Sequence, residues 1–228
     1  MCGRYVLGPA TDNYWVDLRG FLDTLGVRYN VAPTSTVGIL RHGSDGREAA
    51  AVRWGLIPSW AKDTKIAYST INARSESVAE KPAFRAAFKR RRCMVFADGY
   101  YEWTGPKGDK QPHYIQLAGG EPMLFFGLWE SWKGPPGEPL DEPLETCTII
   151  TTSANEQLAE IHDRMPSIAA CDAEEIDLWL DPEFEDAEHL KSLLGPSDLE
   201  FTTTKVSRYV NKVGNEGAEC LEPMDEDS

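Results

Sequence analysis

Between Cys93 and Thr152 the chain offers five runs of apolar, β-branched and aromatic residues: Cys93–Ala97, Tyr100–Thr104, Tyr114–Leu117, Met123–Trp129 and Thr146–Thr152. Gly-Pro, Gly-Asp and Gly-Gly pairs punctuate them. Such pairs mark turns between strands, so this stretch is the expected core of a sheet. Thr36–Arg41 and Ala50–Ile57 read as strands around the turn His42-Gly43-Ser44-Asp45-Gly46, and Phe201–Val206 as a last strand. Helical signals are short. Asp12–Leu25 places Tyr14, Trp15, Leu18, Phe21, Leu22 and Leu25 on one stripe, with Gly26 placed to stop it. A second helix is expected from Pro82 through Phe88, ending in Lys89-Arg90-Arg91-Arg92. Asn155–Ile161, Asp172–Leu180 and Ala187–Leu194 carry acids near their starts, where the macrodipole favours them. Strands interleaved with short helices, without a regular βαβ period, predict an α+β fold. The expected architecture is a single domain with a mainly antiparallel sheet or open-barrel core and flanking short helices. It spans residues 1–222, with a short acidic tail over 223–228.

Net charge first argues against a nucleic-acid partner, since the 228 residues carry a formal charge of −14. The total hides a division. Residues 1–112 have 17 Lys+Arg and 11 Asp+Glu, net +6, whereas residues 113–228 have 6 and 26, net −20. That asymmetry is itself a hint of nucleic-acid interaction. No run approaches the ~18 apolar residues of a membrane span, and the N-terminus lacks a signal-peptide apolar region. A cytoplasmic location is therefore expected. Cys2, Cys93, Cys147, Cys171 and Cys220 are widely spaced without a CxxC pair, and His42, His113, His162 and His189 show no ligand spacing. Neither a disulfide framework nor a metal site is expected, and no cofactor is implied.

The most informative residue is Cys2. Methionine aminopeptidases remove Met1 when the second residue is small, which would leave Cys2 as the first residue. An N-terminal cysteine is a 1,2-aminothiol, carrying an amine of pKa ~7.7–8.0 and a thiol of ~8.5 on one residue. The amine can act as base for the thiol in amide hydrolysis. Alternatively it condenses with an aldehyde to an imine on which the thiol closes, giving a thiazolidine. Four further strings place polar and ionisable residues in apolar surroundings: Asn72-Ala73-Arg74-Ser75-Glu76, Asp98-Gly99-Tyr100-Tyr101-Glu102-Trp103, His162-Asp163-Arg164-Met165-Pro166 and Val206-Ser207-Arg208-Tyr209-Val210-Asn211.

Several of these strings resemble the SOS response-associated peptidase (SRAP) family, in the family's order and over essentially the whole chain. They are Met1-Cys2-Gly3-Arg4, Tyr29-Asn30-Val31-Ala32-Pro33, Trp54-Gly55-Leu56-Ile57-Pro58-Ser59-Trp60, Asn72–Glu76, Asp98–Trp103 and His162–Pro166. The resemblance implies an SRAP-like fold and a DNA-damage protein that binds single-stranded DNA and links covalently to abasic sites, shielding them. It implies Cys2 as nucleophile and Asn72 as a hydrogen-bonding group for the cysteine backbone or deoxyribose. Glu102 would handle protons at the amine or imine, and His162 would act as acid or base on the sugar ring oxygen. Such a protein is nucleoid-associated when bound to DNA. By family position Arg4, Asn30, Pro33, Trp60, Arg74, Tyr101, Arg164, Ser207 and Arg208 are expected to contact DNA, with Trp103 a further candidate for stacking. Arginines suit phosphates, and aromatic rings stack on any base. For Trp54 and Trp103 core packing is the favoured reading, and for Lys89–Arg92 a solvated helix end competes evenly with a phosphate role.

The family's name also implies a peptidase. Its physical root here is self-removal of Met1, and cleavage of other proteins is the runner-up because no string declares an oxyanion hole. A non-catalytic single-strand or modified-base binder is the third reading. One departure from the family is visible: Trp60 is followed by Ala61, where some relatives carry a second tryptophan, and the long segment Ala61–Thr70 before Asn72 bears on how a strand enters.

Overall fold

Strand alternation and burial put the core where the five runs predict it. In the computed structural model, described over residues 2–8, 11, 19–169 and 173–224, the hairpin of β3 (Thr36–Gly43) and β4 (Gly46–Trp54) turns at Ser44-Asp45. β3 pairs antiparallel with β6 (Arg92–Ala97), a strand buried at every residue. β6 pairs antiparallel with β9 (Met123–Trp132), and β9 with β10 (Leu144–Ser153). β10 then pairs parallel with β4 at Thr146↔Arg53 and Cys147↔Trp54. The ring β4-β3-β6-β9-β10 is therefore closed. The expected α+β fold with a mainly antiparallel sheet core is found; the barrel is closed rather than open, because β10 is long enough to hydrogen-bond β9 along one edge and β4 along the other.

A second, five-stranded sheet leans on the barrel in the order β13 (Phe201–Lys205), β8 (Gln111–Leu117), β7 (Gly99–Thr104), β1 (Tyr5–Leu7) and β2 (Arg28–Val31). Asp98 alone separates β6 from β7, so the chain passes directly from barrel to sheet. Where the two meet, the Tyr5 ring packs edge-on against Trp54 and Phe125, at centroid distances of 5.5 and 6.2 Å. Tyr100 meets Phe125 in the same manner at 6.1 Å. Edge-to-face pairs of this kind stabilise by about 0.5–1.5 kcal/mol beyond the area they bury.

Short β5 (Asn72–Arg74) runs parallel to the second half of β10, and β11 (Arg164–Pro166) antiparallel to it on the opposite edge. β12 (Ile168–Ala169) returns to β9. The helices are brief: α1 (Arg19–Leu25), α2 (Arg85–Arg90), α3 (Ala173–Leu180) and α4 (Ala187–Ser192). Gly26, at φ +66°, ends α1 as expected, with its amide donating to the Leu22 carbonyl. The expected start of that helix, Asp12–Leu18, lies outside the described residues, as does Asp172 before α3.

Three helix expectations change. α2 begins at Arg85 rather than Pro82, because Lys81 accepts from Phe84 and Arg85 in a preceding turn. Asn155–Ile161 forms successive turns instead of a helix. Its polar side chains are engaged elsewhere: Asn155 Nδ2 donates to Ser197 O and Gln157 Oε1 accepts from Phe201 N. A seven-residue segment has too little helical stability of its own to resist that. The basic run does not end a solvated helix in one piece, since Arg92 enters β6 and is buried. Near the C-terminus Pro223 bridges to Val206, and Met224 N donates to Lys205 O. No helix among the described residues is long and apolar enough to cross a membrane.

Candidate functional site

β1 lies between β2 and β7, with Tyr5 opposite Tyr100 and Val6 opposite Gly99. The Tyr101 amide donates to Arg4 O at 3.0 Å, which carries the pairing towards the N-terminus. This register brings the Cys2-Gly3 segment alongside Glu102. Alternation along β7 then divides its side chains. Tyr100 packs in the barrel-side core that includes Cys2 and Tyr5, while Tyr101 packs with Tyr114, Val206, Val210 and Cys220 on the far face, where Trp103 joins them.

Cys2 is fully buried and Glu102 is 4% exposed. Burial pushes the thiol well above its ordinary value, and the neighbouring Glu102 carboxylate raises it further. A neutral thiol beside a buried carboxylate is an acid–base pair in a low-dielectric setting. Asn72 reaches the same place from β5, donating through Nδ2 to the Cys2 carbonyl at 2.8 Å. Its Oδ1 is buried and has no hydrogen-bond partner among the described residues, as is also true of the Tyr5 hydroxyl. Tyr5 was not singled out in the sequence; it directly follows the string Met1-Cys2-Gly3-Arg4.

The register of β10 assembles the rest. Asn72 lies opposite Ile149 and Arg74 opposite Thr151, while β11 sets Arg164 opposite Ser153 on the other edge. His162 therefore arrives at the end of β10 that presents Asn72 and Arg74. The Arg164 amide donates to His162 Nδ1 at 2.9 Å, and Asp163 Oδ1 lies 2.9 Å from the same ring nitrogen. Arg164 itself forks onto both Glu76 oxygens and donates to Thr151 O at 2.6 Å. Glu76 was read only as part of its string; the arginine holds its carboxyl below the ordinary value.

The expected DNA contacts separate into exposed and engaged residues. Trp60 is 54% exposed, Arg74 is exposed without an ion pair among the described residues, and Pro33 and Ser207 are half-buried. Arg208 pairs with Asp109 at 2.6 Å, and the Ser207 hydroxyl accepts from Tyr209 N. Arg4 is held by Asn30 Oδ1 and Val210 O, both at 2.7 Å. Its guanidinium lies 5.7 Å from the Trp103 ring centroid. Arg4 and Trp103, with Gly3, Lys110, Gly108 and Asn211, line a cavity of about 560 Å³.

Two assignments do not survive. Tyr101 is fully buried with its hydroxyl donating to Tyr29 O at 2.8 Å, so its ring cannot stack on a base. Asn30 is 2% exposed and spends its amide on the carbonyls of Val210, Lys212 and Asn215, anchoring the segment that follows Ser207. Trp54 is a core residue, as favoured, with Nε1 donating to Ile71 O. Trp103 is only half-buried, and its Nε1 donates to Asn211 Oδ1. Of the basic run, Arg90 pairs with Glu183 and Glu185, Arg91 with Glu130, and Arg92 is enclosed.

The chain is 42% identical to the abasic site processing protein YoqW of Bacillus subtilis, over 97% of this chain and 99% of that one. It is 34% identical to the abasic site processing protein HMCES of Gallus gallus, over 86% of this chain and 66% of the relative. A crystal structure of a protein from Bacteroides thetaiotaomicron superimposes with a TM-score of 0.82 at 26% identity, covering 98% of this chain and all of the other. Residues 1–213 match the family described as SOS response associated peptidase. The chain belongs to the SRAP family.

Proposed function

We propose that this chain captures abasic sites in single-stranded DNA through Cys2, once Met1 has been removed. The observation that carries the reading is the arrangement at Cys2: its carbonyl is fixed by Asn72, and its thiol lies buried near the Glu102 carboxylate. The relatives' names, abasic site processing proteins, supply the substrate class.

An abasic sugar exists partly as an open-chain aldehyde. The Cys2 amine adds to the aldehyde carbon and water leaves, giving an imine. The sulfur then adds to the imine carbon, its proton passes to nitrogen, and a five-membered thiazolidine closes with net loss of one water. The α-ammonium left on Cys2 by Met1 removal is an opposite charge that draws the thiol's pKa down from its buried value. Glu102 accepts and returns the proton during these steps, and His162 acts as acid or base on the sugar ring oxygen to open the ring. Asn72 Oδ1 accepts from a deoxyribose hydroxyl while Nδ2 keeps its bond to Cys2. Trp60, Pro33, Arg74 and Arg164 guide the strand, and the protein acts in the cytoplasm, nucleoid-associated when bound.

Mixing the Met1-processed protein with an abasic single-stranded oligonucleotide, without reductant, is expected to give a denaturant-resistant complex. Cys2→Ala is expected to give none. Unchanged linking in that variant overturns the proposal. Peptidase activity is expected to stop at Met1 removal, and alkylation-sensitive turnover of an unrelated peptide would favour the thiol-peptidase reading instead.

A further inference from the structure

Residues 55–71 connect β4 to β5 as a closed loop whose ends are tied together. Leu56 N donates to Thr70 O, and the Thr70 hydroxyl donates to Leu56 O at 2.6 Å. Gly55, at φ +121°, permits the closure, because a Cβ there would lie 2.7 Å from the Ala67 carbonyl oxygen. The loop's inner side is built like a core: Ile57, Ala61 and Ala67 pack on Trp132, whose Nε1 donates to Ala61 O at 2.9 Å. Asp63 caps the 3-10 turn Thr64–Tyr68 by accepting from Lys65 N. Compact loops with joined ends and their own packing are frequently functional.

The outer side has the opposite character. Tyr68 is 68% exposed and Trp60 54%. Lys62 and Lys65 are exposed beside them, without ion pairs among the described residues. Trp60 and Tyr68 are two of the three large aromatics left exposed among the described residues, whereas the run at Arg90–Arg92 is held by the protein's own carboxylates and carbonyls. Tyr68 precedes Asn72 by four residues, a reach of at most about 14 Å. A strand passing Arg74 and Asn72 would have this loop within that reach.

We propose that Tyr68, with Lys62 and Lys65, forms a second contact for a single nucleic-acid strand, stacking an unpaired base that flanks the abasic position and neutralising its neighbouring phosphates. The inference deepens the abasic-site reading and rests on it. Trp60 and Tyr68 are the two exposed rings of this loop, while Ala61 turns inward. Base–aromatic stacking tolerates any sequence, as a contact beside a lesion requires.

The test is a titration of the full chain with a labelled, undamaged oligothymidylate across a salt series, alongside linking to an abasic strand. Tyr68→Ala is expected to bind the undamaged strand about 5- to 100-fold more weakly, and Tyr68→Phe to bind as the parent does. The Lys62→Gln/Lys65→Gln double variant is expected to lower the slope of log affinity against log salt by about 1.4, at about 0.7 per phosphate contact on a single strand. A Tyr68→Ala affinity within twofold of the parent, or an unchanged salt slope in the double variant, overturns the proposal. The two readings fail separately. Loss of strand contact here leaves covalent linking at saturating DNA intact, whereas a parent that binds strands through Tyr68 yet never links abasic DNA contradicts the function and sustains this contact.

Discussion

The two faces of β7 carry the same kinds of residue and do different work. Towards the barrel, Tyr100 and Glu102 stand with Cys2 in a dry environment where the carboxylate acts on the thiol. Away from it, Tyr101 spends its hydroxyl on Tyr29 O within the sheet, and Trp103 spends its Nε1 on Asn211 Oδ1, fastening the segment after Ser207. One strand thus separates chemistry from scaffolding by its two-residue period alone. A similar contrast divides the cations. Arg90, Arg91 and Arg92 are consumed by the protein's own carboxylates and carbonyls, while Lys62, Lys65 and Arg74 face outward.

Substitutions can break these contrasts, and the largest effect is expected on the inner face. Glu102→Gln keeps the shape and removes the proton acceptor, so linking to abasic strands is expected to slow by 10²-fold or more with the thermal midpoint preserved. A rate within threefold of the parent would remove Glu102 from the proton chemistry. Next comes Arg92, which donates to the carbonyls of Trp179, Phe88, Lys89, Asp181 and Phe184. Burial pushes its pKa down only to about 10, so it stays charged. Arg92→Leu strands those acceptors and is expected to cost about 3–5 kcal/mol in denaturant unfolding, with the salt dependence of DNA binding unchanged. A marginal cost would restore a phosphate role for the run.

The buried thiols give a pH signature. Cys2, Cys93 and Cys147 are all raised by burial, so the folded chain retains protons that the unfolded chain releases above ~8.5. Stability is therefore full below that pH and falls as pH rises, by about 1.4 kcal/mol per pH unit for each thiol. Urea unfolding between pH 7 and 10 reads this directly; a flat profile would mean the thiols are not enclosed. The smallest effect belongs to the outer face. Tyr101→Phe loses one hydrogen bond and is expected to cost about 1 kcal/mol while linking and strand affinity stay the same. A drop in affinity would return Tyr101 to the DNA surface.

Much of the sheet was legible because alternation and turn pairs are local signals. The five runs between Cys93 and Thr152 became β6 to β10, differing only at their ends. Barrel closure was not legible, since it depends on β10 pairing with β9 at one edge and with β4 and β5 at the other, across long sequence separations. The Asn72 contact with Cys2 followed from recognising strings in order, not from their spacing. Tyr101 and Asn30 were misread because a string fixes identity without fixing which side of a strand faces water. The charge split pointed towards the basic half, yet which cations remain available depended on distant partners such as Glu183 and Glu185. Tyr68 carried no string at all; its meaning came from the loop that turns Ala61 inward.

The central claim is that Cys2 itself becomes part of the DNA adduct, and intact mass spectrometry tests it most directly. After mixing with an abasic strand in the absence of reductant, the expected species is the Met1-less chain plus the oligonucleotide minus one water, with the modification on Cys2. An adduct that forms only under reduction, or one that maps to a lysine and persists in Cys2→Ala, would contradict it.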